Sequence, residues 1–147
     1  MISQLYSLLL EHVDGAPKVD TVYRPLITIG EGRFAKVKLC YHMEEKAFYA
    51  IKLLKKGFSL SELRAFVAEV DVLSRLASLT PHVPKIIDAN FKGEYHRPGS
   101  QPTKTCYYVM QLAEYGELFG LVKNGSQLNE DCVRLLFCRI LEGSQIN

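Results

Sequence analysis

The amino-acid sequence predicts an α+β fold in which a five-stranded antiparallel sheet carries one main helix, with a connector and shorter helices after it. Three observations predict it. Val37, Leu39 and Tyr41 alternate with Lys36, Lys38 and Cys40, and Phe48, Ala50, Lys52 and Leu54 alternate with Tyr49, Ile51 and Leu53, the period of two that marks strands. Leu63, Phe66, Val67, Val70 and Leu73 recur at helical spacing behind Ser59-Leu60-Ser61-Glu62, which reads as a capping box. Turn-forming residues separate these runs at hairpin intervals.

Composition narrows the class. The 147 residues suit one domain, and 48% hydrophobic with 23% charged residues is the make-up of a folded chain rather than a disordered one. A net charge of +2, with lysines dispersed along the chain, argues against a nucleic-acid partner. No apolar run reaches the roughly 18 to 20 residues of a membrane span, and no basic segment followed by a clean apolar run opens the chain. Neither membrane nor nucleic acid is therefore expected. Cys40, Cys106, Cys132 and Cys138 show no Cys-x-x-Cys spacing, which suggests reduced thiols and a cytoplasmic, or alternatively nuclear, setting.

Leu5, Leu8, Leu9, His12 and Val13 fall at helical spacing, and Asp14-Gly15-Ala16-Pro17 stops that helix, so residues 1–20 read as an N-terminal helix and linker. Packing on the sheet is the expected role of this helix, ahead of a partner-binding arm. Three strands follow between Tyr23 and Leu54 as a meander, turning at residues 30–32 and 43–46. After the capped helix, Thr80-Pro81-His82-Val83-Pro84 forms a break in which His82 is a turn residue rather than a ligand. A strand is expected over 85–91, a polar loop over 92–105 and a strand over 106–110. A connector follows at 111–116, then a short helical pattern over 117–123. Asn129-Glu130-Asp131 opens a last helix with Val133, Leu136, Phe137, Ile140 and Leu141 on its apolar face.

The stretch that carries chemistry is Ile29-Gly30-Glu31-Gly32-Arg33-Phe34-Ala35-Lys36-Val37 together with Lys52. Two glycines at a strand end let backbone amides approach phosphate oxygens that a Cβ would keep away. A dinucleotide-binding turn would open a helix, whereas here a strand follows, so the glycines cap a hairpin. Lys52 shares a strand face with Ala50, and burying its ammonium unpaired would cost several kcal/mol. A snorkelling lysine at a strand end is the alternative. At about 100° per residue, Glu69 falls between Leu73 and Leu76 on the edge of the apolar stripe and faces the sheet. Glu62, seven residues earlier, competes for Lys52, but capping occupies it, so Glu69 is the expected partner.

Gly30-Glu31-Gly32-Arg33-Phe34-Ala35-Lys36-Val37, Tyr49-Ala50-Ile51-Lys52, Glu69 in Ala68-Glu69-Val70-Asp71-Val72-Leu73, and Tyr108-Val109-Met110-Gln111 through Gly116-Glu117-Leu118-Phe119 together resemble the eukaryotic protein kinase domain, over residues 23–143. Gly-Glu-Leu-Phe after the connector is similar to serine/threonine kinases of the calmodulin-dependent and AMP-activated group. The resemblance implies a protein-kinase-like small lobe at 23–110, a hinge at 111–116 and the first helices of an incomplete large lobe at 117–147. It also implies ATP as ligand. Ile29, Gly30, Glu31 and Gly32 would cover its phosphates, Lys52 would touch the α- and β-phosphates, and Glu69 would hold Lys52. Val37 and Ala50 would pack the adenine, Met110 would be the gatekeeper, backbone groups of Gln111 and Ala113 would bond the adenine edge, and Glu117 would reach the ribose or a basic substrate residue.

Ala35 replaces the third glycine of the loop and is expected to stiffen it. His-Arg-Asp, Asp-Phe-Gly and Ala-Pro-Glu do not occur in these 147 residues, and the segment 144–147 drifts from the apolar pattern expected there. The resemblance thus implies the ATP-binding portion of a serine/threonine kinase, inactive alone, with Mg²⁺ and protein substrate engaged only by a longer form. The alternative is a non-catalytic, kinase-like regulator acting through protein binding. The apolar face of the last helix implies self-association.

Overall fold

The computed structural model describes residues 2–123 and 128–144, so the expectation for residues 145–147 lies outside the described residues. Six strands form one antiparallel sheet: β1 (Lys18–Val19), β2 (Tyr23–Glu31), β3 (Ala35–His42), β4 (Ala47–Leu54), β5 (Ile86–His96) and β6 (Thr103–Met110). Their order is β1-β2-β3-β4-β6-β5, and β1 pairs with both β2 and β5, which closes the sheet into a barrel. Among the described residues, four helices accompany it: α1 (Ile2–Leu10), α2 (Leu60–Leu79), α3 (Leu118–Lys123) and α4 (Glu130–Ser144).

The period of two sorts side chains between two cores. Val19, Tyr23, Cys40, Ile51, Leu53, Tyr107 and Val109 fill the barrel, with Tyr49 packed against them. Ala35, Leu54, Cys106 and Tyr108 lie on the other face, beneath Phe66 of α2. Residues 49, 51 and 53 therefore point inward while Leu54 faces the helix, as the alternation requires.

Among the described residues the expected five strands are six, the addition being β1, which at two residues is too short to show a period. Its seam is built by Asp20, which takes a left-handed φ of 47° that aspartate tolerates. The Asp20 carboxylate accepts hydrogen bonds from the Tyr107 hydroxyl at 2.6 Å, the Asn90 amide at 3.0 Å and the Glu94 backbone N–H at 2.8 Å. Burial works to raise the Asp20 pKa, but these donors outweigh it and hold the carboxyl below its ordinary range.

The expected loop over 92–105 is also corrected, since β5 runs on to His96 and β6 begins at Thr103. Gly93 makes that extension possible: a Cβ there would lie 2.6 Å from the Tyr107 ring. Paired across from Thr105, the glycine admits a tyrosine that fills the barrel.

Tyr6 of α1 stacks on Phe48 at 4.5 Å between centroids and Leu9 is buried, so this helix packs on the sheet; it ends at Leu10, which leaves His12 and the buried Val13 in the turn that follows, and Leu5 and Leu8 of the expected stripe are exposed. The capping box of α2 is present: Ser59 Oγ accepts from the Glu62 N–H at 3.2 Å, and Glu62 Oε2 accepts from the Ser59 N–H at 2.7 Å. Asn129 caps α4 by accepting the Cys132 N–H at 2.8 Å, and Glu142 near its end meets His82 Nε2 at 3.3 Å. All four cysteines are free, and burial pushes the Cys40 thiol up to about 12.

Candidate functional site

Lys52 sits in the middle of the sheet, with Val37 of β3 beside it on one side and Tyr108 of β6 on the other. Its Nζ meets Glu69 Oε1 at 2.7 Å and Oε2 at 2.8 Å. The glutamate is held in place from two directions. Phe66, one turn earlier on α2, is fully buried with its ring 5.2 Å from Tyr108, and the Tyr108 hydroxyl donates to Glu69 Oε1 at 3.0 Å. The Tyr108 ring also lies 5.7 Å from the Lys52 ammonium. Burial, and next the negative Glu69, push the Tyr108 hydroxyl well above its usual range, so it acts as a fixed donor.

Glu62 is engaged elsewhere, because its carboxylate accepts from both the backbone and the hydroxyl of Ser59. Competition for Lys52 is thereby resolved in favour of Glu69. With side-chain exposures of 19% and 35%, the Lys52–Glu69 pair contributes on the order of 1 kcal/mol or less to stability. What it supplies is placement: an ammonium aimed along one direction, with two of its sides on a carboxylate and a ring.

The glycine hairpin lies over the same face. Gly30 pairs with Val37, and the Gly32 N–H donates to the Ala35 carbonyl at 2.9 Å. That bond corrects part of the expectation, since the Gly32 amide is engaged within the hairpin rather than free for a phosphate. A Cβ at Gly30 or Gly32 would find only ordinary contacts, at 3.6 and 3.7 Å. The chain's own packing therefore does not demand glycine there. Glu31 ties the hairpin down through Lys55 at 2.8 Å and Lys36 at 3.3 Å, and these bonds hold its carboxyl below the usual range. Ile29 next to it is 48% exposed.

Ala50 is buried between Leu39 and Met110 across the sheet, so Val37, Ala50 and Met110 share the sheet face that carries Lys52. Beyond Met110, the Gln111 N–H donates to the Lys85 carbonyl at 2.9 Å, and the Ala113 carbonyl accepts from Gly116 at 3.3 Å. This narrows the expected adenine contacts to the Gln111 carbonyl and the Ala113 amide. Glu117 is exposed at the start of α3, where its carbonyl accepts the Gly120 N–H at 3.0 Å. Among the described residues, no hydrogen bond joins residues 111–117 to Lys52 or to the hairpin.

Tyr108 is the residue the sequence reading missed. Its signal was available: it lies two positions before Met110, on the strand face that the alternation turns toward α2.

The assembled parts can position a polyanion between a glycine hairpin and an oriented lysine, with a flat apolar edge alongside. Comparison with known sequences places the chain in a family. The family described as the protein kinase domain matches residues 23–146. CBL-interacting protein kinase 17 of Oryza sativa subsp. japonica is 29% identical over 79% of this chain. Putative sperm motility kinase W of Mus musculus is 29% identical over 84%, and SNF1-related protein kinase catalytic subunit alpha KIN12 of Arabidopsis thaliana is 30% identical over 82%. The chain spans 22 to 23% of the length of these relatives. With the glycine hairpin, the Lys52–Glu69 pair and the family match falling on the same residues, the chain belongs to the protein kinase domain family.

Proposed function

We propose that these residues form the nucleotide-binding part of a serine/threonine protein kinase, with residues 23–110 as its small lobe, 111–116 as its hinge and 117–147 as the start of its large lobe. The carrying observation is the bidentate Lys52–Glu69 pair, steadied by Tyr108 and flanked by Val37, Ala50 and Met110. The residues present fit ATP. Lys52 would hold the α- and β-phosphates, the hairpin from Ile29 to Gly32 would cover them, and Val37, Ala50 and Met110 would receive the adenine. The Gln111 carbonyl and Ala113 amide have the donor–acceptor pattern for its edge, and Glu117, exposed at the start of α3, would reach the ribose or a basic substrate side chain.

Bound ATP supplies the γ-phosphoryl group that family members transfer to a protein hydroxyl. Mg²⁺ does not fit the donor set: the family's metal-holding Asp and Asn have no counterpart here, and among the described residues no three acidic, His or Cys side chains converge. The base that would orient the hydroxyl has no counterpart either. The 147 residues alone should therefore bind nucleotide weakly and transfer nothing.

A second reading, a regulator that acts by protein binding, draws on α4. Val133, Phe137, Ile140 and Leu141 there are 42 to 59% exposed, a face suited to a second copy of the chain. Free thiols, two of them exposed, accord with a reducing cytoplasmic or nuclear setting. Among the described residues no helix is long and apolar enough to cross a membrane.

Two measurements test the proposal on the full chain. In a titration with a non-hydrolysable ATP analogue, backbone amide resonances should shift at Gly30, Val37, Ala50 and Ala113. A radiolabelled transfer assay should give no signal above a Lys52→Ala control. An absence of shifts at those positions would reject the nucleotide site, and transfer above the control would reject the inactive-alone reading.

A further inference from the structure

The strands that fill the barrel with apolar side chains carry a different set at one end. Lys36 and Lys38 alternate in step with Cys40, which is sealed in the barrel, and Thr103 and Thr105 alternate in step with the buried Tyr107. The charged row on β3 thus runs toward the barrel's open end rather than along an ordinary solvated face. A cavity of about 320 Å³ opens there, its apolar lining supplied by Leu53, Leu54, Phe58 and Tyr95 and its polar lining partly by Thr28, Thr103 and Thr105, with the Thr103 hydroxyl donating to the Tyr95 carbonyl at 3.4 Å. It shares no residue with Gly30, Gly32, Val37, Ala50, Lys52 or Met110, so it is separate from the nucleotide cleft.

Six cations line this cavity: Lys36, Lys38, Lys55, Lys56, Arg97 and Lys104. Glu31 pairs with Lys36 and Lys55. Among the described residues, no carboxylate lies within ion-pair distance of Lys38, Lys56, Arg97 or Lys104; Glu94, opposite Lys104 in the β5–β6 register, turns to His96 at 3.2 Å. Arg97 is steadied over the Tyr95 ring at 5.5 Å, and the Lys38 ammonium reaches the Leu26 carbonyl at 3.5 Å. Burial, and then the positive Lys36 and Arg97 beside it, hold the Lys38 pKa below its ordinary value. Like charges gathered around a cup with an apolar lining repel one another until an anion enters.

We propose that the open end of the barrel binds a small ligand bearing two or more clustered phosphate groups on a polyol ring. Charge sets the number of phosphates. One phosphomonoester carries about −1.5 to −2 at neutral pH, at most half of what four such cations require. Size agrees, since a volume near 300 Å³ is the lower end for small-molecule sites and far exceeds a single phosphate. Shape favours a compact ring over a peptide: a ring fills a cup of this volume, whereas an extended chain would leave most of its length outside it. The apolar lining takes the ring, and the threonine hydroxyls and cations take the phosphate oxygens.

The test is calorimetric titration of the full chain with an inositol trisphosphate, with inorganic phosphate, with a phosphoserine peptide, and with phosphatidylcholine vesicles carrying a phosphatidylinositol bisphosphate. Saturable one-to-one binding of the trisphosphate is expected, about tenfold or more tighter than inorganic phosphate and weakening as salt rises. Amide shifts should centre on Thr28, Lys56 and Thr105 rather than on Gly30 and Ala50. Lys38→Met should weaken binding about tenfold. If that variant fails to fold, the paired rim changes Lys56→Gln and Lys104→Gln carry the same expectation.

Vesicle binding in addition to trisphosphate binding would identify a lipid headgroup as the source, and trisphosphate binding without it a soluble one. Equal affinity for inorganic phosphate, tighter binding of the phosphopeptide, shifts centred on the nucleotide cleft, or affinity indifferent to these substitutions would each overturn the proposal.

Discussion

Ile51 and Phe137 are both large apolar side chains set by a regular period, yet Ile51 has no exposed surface while Phe137 keeps 59% of its own. The difference is closure. Ile51 stands on a strand with paired neighbours on both sides, inside a sheet that β1 joins end to end. Phe137 stands on a helix fastened by an Asn129 cap and a Glu142–His82 contact, with its apolar face turned outward. Periodicity decides which face of an element is apolar. What covers that face is decided by the rest of the fold, and α4 belongs to the part of the chain where covering is incomplete.

The largest effect should come from the closed region. Ile51→Ala is expected to cost about 2 to 5 kcal/mol, since it removes packed atoms and leaves a cavity that a barrel cannot collapse around. Thermal or denaturant unfolding of the purified variant reads this directly. A loss below about 1 kcal/mol would mean that the barrel interior relaxes as freely as the outside.

An intermediate effect is expected at the seam. Asp20→Asn weakens the acceptor shared by Tyr107, Asn90 and the Glu94 backbone and should cost about 1 to 3 kcal/mol at neutral pH. The pH dependence has a definite sign. A carboxyl whose folded pKa lies below its unfolded value of 3.8 contributes stability above that value and loses it as pH falls through the folded pKa. The native chain should therefore lose this contribution below about pH 4, and the Asn variant should lack that part of the acid dependence. Identical acid unfolding profiles would show that Asp20 does not hold the seam.

The smallest effect on folding should be at α4. Phe137→Ala is expected to change stability by no more than about 0.5 kcal/mol, while sedimentation shows less self-association than the native chain. Removing residues 129–147 should improve solubility for the same reason. A clean monomer at high concentration, with no gain on removal, would show instead that the helix face is covered.

What the sequence disclosed follows the same division. The Lys52–Glu69 pair was legible because a 20-residue helix with a capped start makes the phase of every side chain calculable, and Glu69 falls on the edge facing the sheet. The α+β class and the β2–β4 meander were legible from long alternating runs. The two-residue β1 was not, because its evidence is the conformation of Asp20 and its distant partners. Nor was the extension of β5, where the polar run Lys92-Gly93-Glu94 reads as a loop until Tyr107 is seen to occupy the space that Gly93 leaves. Tyr108 stayed unassigned because a tyrosine on an apolar strand reads as core, and its hydroxyl's role depends on where α2 sets Glu69. The engaged amides of Gly32 and Gln111 are likewise products of three-dimensional pairing, with no signature in spacing.

The central claim is that Lys52, aimed by Glu69, receives the phosphates of a nucleotide. Calorimetric titration of ADP into the full chain and into Lys52→Met and Glu69→Gln variants, each verified as folded, tests it most directly. The native chain should bind weakly but saturably, Lys52→Met should bind about tenfold less tightly or not at all, and Glu69→Gln should fall between them. Equal affinity across the three proteins would contradict the claim and leave the pair as a structural contact between sheet and helix.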